Sequence, residues 1–84
     1  MSRLWPVGER ITVQADSSGI PHEFEWQGQD HKVEGIANSW RIDEQWWRGR
    51  IWREYFKLYT TSGLLVDIYR NLSSDDWYLQ RLYD

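Results

Sequence analysis

The chain contains no cysteine and no long run of apolar residues. Without cysteine, no disulfide can brace the fold and no thiolate can bind a metal ion. No stretch approaches the roughly 18 apolar residues that a membrane-spanning helix requires. The first residues also lack the apolar segment of a secretory signal. We therefore expect a cytoplasmic protein that does not associate with membranes.

Aromatic residues are the main resource left for building a core. The 84 residues are 17% aromatic and include seven tryptophans. A chain of this length has limited surface to bury and needs an efficient core, and each aromatic ring can bury roughly 150–250 Å². We expect one domain over residues 1–84, stabilised by aromatic packing. Residues 1–9 are interpreted as a lead-in, because Pro6 and Gly8 interrupt regular structure.

Alternating apolar and polar residues, separated by turn-forming residues, predict strands, and no stretch predicts a convincing helix. The alternation slips once, at Gly35, where a bulge or a bend would restore its phase. Residues 41–50 are interpreted as a structured loop. The predicted fold is all-β: a small, strongly bent, antiparallel SH3-like barrel of five to six strands. The expected strands are 10–15, 22–27, 31–40, 51–61, 64–70 and 77–83.

Charge is distributed unevenly along the chain. The net charge is −3 and the isoelectric point is near 5.3, which argues against general DNA coating. Residues 41–57, however, carry five Lys or Arg side chains against three acidic ones. The surrounding segment from Trp40 to Leu58 also holds four of the seven tryptophans. Interleaved aromatic and cationic side chains are typical of binding surfaces for proteins or nucleic acids.

The strand phases divide this segment into core and surface. Trp40, Trp52, Phe56 and Trp77 are expected in the core. The neighbouring tryptophans at 46 and 47 cannot easily both face one core, so at least one is expected at the surface. The other predicted surface residues share the outward face of one strand or lie in the adjoining loop. The complete predicted binding surface is Trp46, Trp47, Arg48, Arg50, Arg53, Tyr55, Lys57 and Tyr59.

Residue types that support catalysis are present but are not arranged for it. His22 and His31 could approach across adjacent strands, yet Glu23 and Glu25 point away from His22 in a strand, which disfavours a metal site. The paired acids Asp43-Glu44 and Asp75-Asp76 are better explained as solvated turn residues than as opposed catalytic carboxylates. We therefore predict a protein that is not an enzyme, with no catalytic residues, no metal and no cofactor.

Several motifs in the second half resemble a known family. They are the paired acids Asp43-Glu44 before Trp46-Trp47, the aromatic-rich strand Arg53–Leu58, a Thr-Thr-Ser-Gly turn, and the ending from Trp77 to Asp84. Together they resemble a small bacterial domain of unknown function. That domain is also found as the C-terminal domain of the inactive Y-family polymerase-like protein of actinobacterial inducible-mutagenesis cassettes. The resemblance covers about residues 33–84 and implies a link to DNA-damage tolerance, without supplying catalytic residues.

Two functions remain open at this point. The first is a non-enzymatic module that binds a protein partner through its aromatic and basic surface. The alternative is a weak binder of single-stranded nucleic acid, in which the same side chains stack bases and contact phosphates. The sequence leaves the oligomeric state undetermined.

Overall fold

The computed structural model describes residues 3–47 and 49–83, except for the side chain of Trp46. These residues form six strands: β1 (Arg3–Ala15), β2 (Pro21–Trp26), β3 (Gln29–Trp46), β4 (Gly49–Thr60), β5 (Leu65–Asn71) and β6 (Asp76–Tyr83). The described part of the chain contains no helix. It accordingly offers no helix long and apolar enough to cross a bilayer.

All strand pairs are antiparallel, and the order of pairing closes on itself. Each strand pairs with the next one along the chain, and β1 also pairs with β6, which makes a closed barrel. The prediction of an all-β antiparallel fold is therefore confirmed, and β4, β5 and β6 form a three-stranded meander. The finer assignment to the SH3-like class stays a prediction.

Two long strands bend so that the sheet can close. Residues 12–15 of β1 pair with β2, whereas residues 3–11 pair with β6. Similarly, residues 29–32 of β3 pair with β2, and residues 33–46 pair with β4. The register of β3 shifts between Val33 and Gly35, as the slip in alternation predicted, and shifts again between Ile36 and Asn38. Bulges of this kind increase local twist and bend a strand.

Two segments that were expected to be irregular are strands. Residues 3–9 are part of β1. The register shift between Leu4 and Glu9 marks a large bulge that contains Pro6 and Gly8, so these two residues do not end the strand. The predicted lead-in is therefore wrong for these residues. The loop predicted at 41–50 is also wrong, since Arg41 to Trp46 pair in regular register with Gly49 to Glu54. Pairing with β6 decides the first segment and pairing within the β3–β4 hairpin decides the second, and local residue preferences reveal neither.

The core lies between the inward faces of the strands. Its centre is fully buried, and Leu58, Val66, Ile68 and Leu79 have no exposed surface. Phe56 and Trp77 belong to it as predicted, but Trp40 and Trp52 are only partly buried and lie outside the core cluster. Trp40 faces outward beside Tyr55. Trp52 precedes Arg53, which is the first residue of β4 that pairs with β5. The other members of the core cluster are Ile11, Phe24 and Trp26.

The bulge of β1 brings backbone close to the outer face of the sheet. Gly8 has φ +94°, and a Cβ there would lie 2.8 Å from Tyr78 Cβ and 3.2 Å from a ring carbon of Tyr69. Gly28 has φ +75° in the β2–β3 turn, and a Cβ there would meet nothing within 4 Å. Only glycine can occupy position 8 without both backbone strain and a steric clash.

Alanine substitutions at these two glycines separate strain from crowding. Gly8→Ala is expected to lower the free energy of unfolding by about 3 kcal/mol, because left-handed strain is added to overpacking. Gly28→Ala is the matched control and is expected to lower it by about 1 kcal/mol, from strain alone. Urea denaturation followed by tryptophan fluorescence measures both values. Equal losses would contradict the close approach of the bulge to the sheet.

Candidate functional site

Four aromatic rings form a row across the outer face of the sheet. Trp40, Tyr55, Tyr69 and Tyr78 lie on β3, β4, β5 and β6 and are direct cross-strand neighbours. Successive ring centroids are 5.2, 5.1 and 5.0 Å apart. Contacts of this kind contribute roughly 0.5–1.5 kcal/mol each beyond the area that they bury. We call these residues the outer aromatic row.

The middle of the outer aromatic row is buried although it faces away from the core. Tyr69 is 2% exposed and Tyr55 is 5% exposed. The bulge of β1 covers Tyr69, whose hydroxyl donates to the carbonyl oxygen of Val7 at 2.7 Å. Arg53 lies over the Tyr69 ring at 4.5 Å and donates to the Tyr55 hydroxyl at 3.1 Å. Burial raises the pKa of Tyr69, and the charge of Arg53 opposes that rise.

A second group of side chains lies further along the same face. The Tyr83 hydroxyl donates to Asp67 Oδ2 at 2.6 Å, and Asp67 is only 8% exposed. Lys57 and Arg81 approach the Tyr83 ring at 4.8 and 5.4 Å from its centroid. Cations held over aromatic rings stabilise the face on which they lie and are less available to a ligand. Tyr59 is the exposed ring of this region, with 44% of its surface accessible.

The β3–β4 hairpin projects beyond the rest of the sheet. Strand β5 pairs with β4 only over Arg53 to Tyr59, so residues 42–52 form a two-stranded extension, which we call the arm. Arg50 donates from Nε and Nη2 to the two carboxylate oxygens of Asp43, at 2.9 and 2.8 Å. Its guanidinium also lies 4.3 Å from the centroid of the Trp52 ring. These contacts hold the two strands of the arm in one register.

The electrostatics of the arm agree with this geometry. The hydrogen bond from Arg50 lowers the pKa of Asp43. Desolvation opposes this effect, and Coulombic attraction to Arg50 adds to it. The same hydrogen bond raises the pKa of Arg50. At the base of the arm, Arg41 donates from Nε to Glu54 at 3.2 Å. The bidentate pairing of Asp43 with Arg50 favours a preformed hairpin over a flexible loop.

Trp47 lies at the tip of the arm and is 85% exposed. A side chain this large and this exposed is the feature most typical of a contact residue, because tryptophan contributes strongly to protein interfaces. Trp47 meets the prediction that at least one member of the tryptophan pair lies at the surface. Two residues of the predicted surface, Arg48 and the side chain of Trp46, lie outside the described residues.

The remaining residues of the predicted surface lie in two places. Arg50 is in the arm, whereas Arg53, Tyr55, Lys57 and Tyr59 lie on the outward face of β4, as the alternation indicated. Tyr55 is buried within the outer aromatic row and offers no open ring face. The sequence interpretation missed Tyr69, Tyr78, Asp67 and Tyr83 as members of the same face. Cross-strand register brings them together, and no local pattern encodes that register.

The two histidines lie in different surroundings. His22 is exposed, whereas His31 is 7% exposed and stacks on Phe24 with ring centroids 5.3 Å apart. His31 Nδ1 lies 2.9 Å from the Ser62 hydroxyl, which in turn lies 2.7 Å from the Thr60 hydroxyl. Within residues 3–47 and 49–83, no group of three or more His, Cys, Asp or Glu side chains is placed to hold a metal ion.

Fold and site together define a small, closed, all-β domain with a stacked outer face and a projecting aromatic arm. A family model described as a domain of unknown function, DUF6504, matches residues 3–84. The chain belongs to this family, because the match covers nearly all of its length. Neither the comparison with curated proteins nor the comparison with solved structures gives a match.

Proposed function

We propose that this domain is a non-enzymatic protein-interaction module and that the arm is its main contact element. The observation that carries the proposal is the 85% exposed Trp47 at the tip of a hairpin braced by the Asp43–Arg50 ion pair. A rigid element that presents a large aromatic side chain loses little conformational entropy on binding. Tryptophan and arginine are also the residue types that most often dominate interface energies.

Tyr59 and the neighbouring outer face supply a second contact region in this proposal. Tyr59 is exposed, and Lys57 lies on the same outward face of β4. SH3-like barrels bind extended peptides on aromatic surfaces of a closed sheet, and we assign this barrel to the same class of binding scaffold. The family resemblance further suggests a protein partner that acts in DNA-damage tolerance. We therefore propose the polymerase-like proteins of mutagenesis cassettes as the first partners to test.

Photo-crosslinking from the tip of the arm tests the proposal directly. A photoreactive phenylalanine analogue at position 47 is expected to capture a partner protein in cells. The same analogue at Glu25, which is exposed on β2, is the control and is expected to capture nothing specific. Excess wild-type domain should suppress the crosslink from position 47, and Trp47→Ala should not. Mass spectrometry identifies the captured protein.

Two results would contradict the assignment of Trp47 as the contact. One is equal capture from positions 47 and 25. The other is a loss of more than about 1 kcal/mol of stability in Trp47→Ala, since exposed side chains usually contribute less than this. Trp47→Phe is the matched variant that keeps an aromatic ring at the tip. In excess, Trp47→Phe should suppress the crosslink from position 47 more strongly than Trp47→Ala does.

Single-stranded nucleic acid is the second candidate ligand. The exposed Tyr59 ring lies near Lys57, and stacking of one base on such a ring contributes roughly 1–3 kcal/mol. The net charge of −3 opposes binding to a polyanion, and Arg53, Lys57 and Arg81 already lie over tyrosine rings. The balance of these observations favours a protein partner.

A fluorescently labelled oligonucleotide separates the two candidates. If nucleic acid is the ligand, anisotropy should report binding at low salt that weakens steeply as salt is raised, because phosphate contacts release counterions. Tyr59→Ala should then reduce the affinity, and Trp47→Ala should reduce it less. If a protein is the partner, we expect no oligonucleotide binding even at low salt. Saturable binding that depends on Tyr59 would overturn the preference for a protein partner.

A further inference from the structure

Strand β3 has one edge that no other described strand covers. Beyond Lys32, β3 pairs with β4 and with no other strand in the part of the chain that the structure describes. Its register is regular from Asn38 to Trp46, after the two bulges. We call Asn38–Trp46 the free edge; at the usual rise per residue it is roughly 30 Å long. The unpaired backbone groups of such an edge are a template for another strand.

Three features that normally protect an edge are weak or absent here. Both bulges of β3 lie before Asn38, the free edge contains no proline, and its three charged residues, Arg41, Asp43 and Glu44, are of mixed sign. Much of the free edge belongs to the arm, which consists of two strands only. The Asp43–Arg50 ion pair holds these two strands together, but the outer backbone groups of β3 have no partner strand among the described residues, and a third strand would pair with them. The edge is therefore suited to accept a strand.

If the partner strand is the free edge of a second copy, the side chains of the free edge favour one antiparallel register over the others. In an antiparallel pair, directly opposed residues point to the same face of the sheet. If the two strands are identical and related by a two-fold axis, the central residue therefore lies opposite its own copy. Centring on Arg41, Asp43 or Glu44 would oppose identical charges, which is unfavourable. Centring on Ile42 instead places Arg41 of each chain opposite Asp43 of the other. This register has two attractive pairs and no like-charge pair among directly opposed residues.

We propose that the free edge pairs with the free edge of a second copy of this chain, antiparallel and centred on Ile42. The β3–β4 hairpins of the two copies then form one four-stranded antiparallel sheet, with the strand order β4, β3, β3 and β4, in which residues 42–46 of each arm pair with residues 38–42 of the other copy. Arg41 uses Nε for Glu54 within its own chain, and its terminal nitrogens can donate to Asp43 of the second copy. Ile42 packs on its own copy at the centre of the interface.

This arrangement is independent of the proposed protein partner. In the register centred on Ile42, the turns that carry Trp47 lie at opposite ends of the four-stranded sheet. Neither tip is part of the pairing ladder, so each remains accessible to a partner. Failure of the crosslinking experiment at position 47 would therefore leave the dimer proposal standing, and loss of the dimer would leave the interaction module standing.

Charge exchange between positions 41 and 43 tests the register. Sedimentation velocity is expected to show a concentration-dependent dimer of the wild-type chain. In a dimer of Arg41→Asp, aspartates face each other at positions 41 and 43, and in a dimer of Asp43→Arg, arginines do. Each variant alone is therefore expected to dimerise at least about tenfold more weakly. An equimolar mixture of the two variants restores opposite charges at both positions. It is expected to recover dimerisation to within about threefold of wild type.

Controls distinguish loss of pairing from loss of folding. Both variants also change contacts within their own arm, so circular dichroism and thermal melting must show that they are folded. The mixture is informative in any case, because mixing cannot repair a defect within one chain. Glu25→Arg, a charge reversal on a strand whose two edges are paired, is the matched control and should leave dimerisation unchanged. A wild-type chain that stays monomeric to roughly millimolar concentration, or a mixture no better than either variant alone, would overturn the proposal.

Discussion

The tilted ring contact between Tyr55 and Tyr69 is the interaction on which the outer face of this domain depends. The two rings are 5.1 Å apart, and both are buried although they point away from the core. A short chain without disulfides has few ways to bury more area. Here the meander of β4, β5 and β6 packs on aliphatic and aromatic core residues inside, and a row of ring contacts buries Tyr55 and Tyr69 on its outer face. The bulge of β1 completes the outer layer through the Tyr69–Val7 hydrogen bond.

This second layer determines which aromatic and basic residues can bind a ligand. Arg53, Lys57 and Arg81 lie over tyrosine rings of the same face, so their charges stabilise the fold. An aromatic and basic composition therefore does not by itself make a binding surface. Among the described aromatic side chains, Trp47 at the tip of the arm and Tyr59 are the exposed ones. The functional proposal rests on these two places for that reason.

Alternation in the sequence was sufficient to predict the three strands of the meander. It also identified Phe56 and Trp77 as core residues and Gly35 as the site of a bulge, because these features depend on neighbouring positions. It failed for residues 3–9, where pairing with the distant strand β6 imposes extended structure, and for residues 41–50, where pairing across the β3–β4 hairpin does so. Trp40 was misplaced for a similar reason, since two bulges in β3 decide which face it occupies.

The candidate site shows the same limit. The outward direction of Arg53, Tyr55, Lys57 and Tyr59 follows from the period of two in a strand. The burial of Tyr55 does not, because it depends on Trp40 and Tyr69, which are neighbours through register and are distant in sequence. The arm was hidden because its turn contains adjacent tryptophans, which are not typical turn residues. Only a correct register for β3 and β4 reveals it.

A double-mutant cycle on Tyr55 and Tyr69 measures how strongly the two rings stabilise each other. Tyr55→Leu, Tyr69→Leu and the double variant are compared with wild type by urea denaturation. We predict a coupling free energy of about 1 kcal/mol between the two positions. The pair Tyr55 and Tyr83, on the same face, is the control and should be additive within about 0.5 kcal/mol. Additive losses at Tyr55 and Tyr69 would contradict the claim that their ring contact holds the outer layer together.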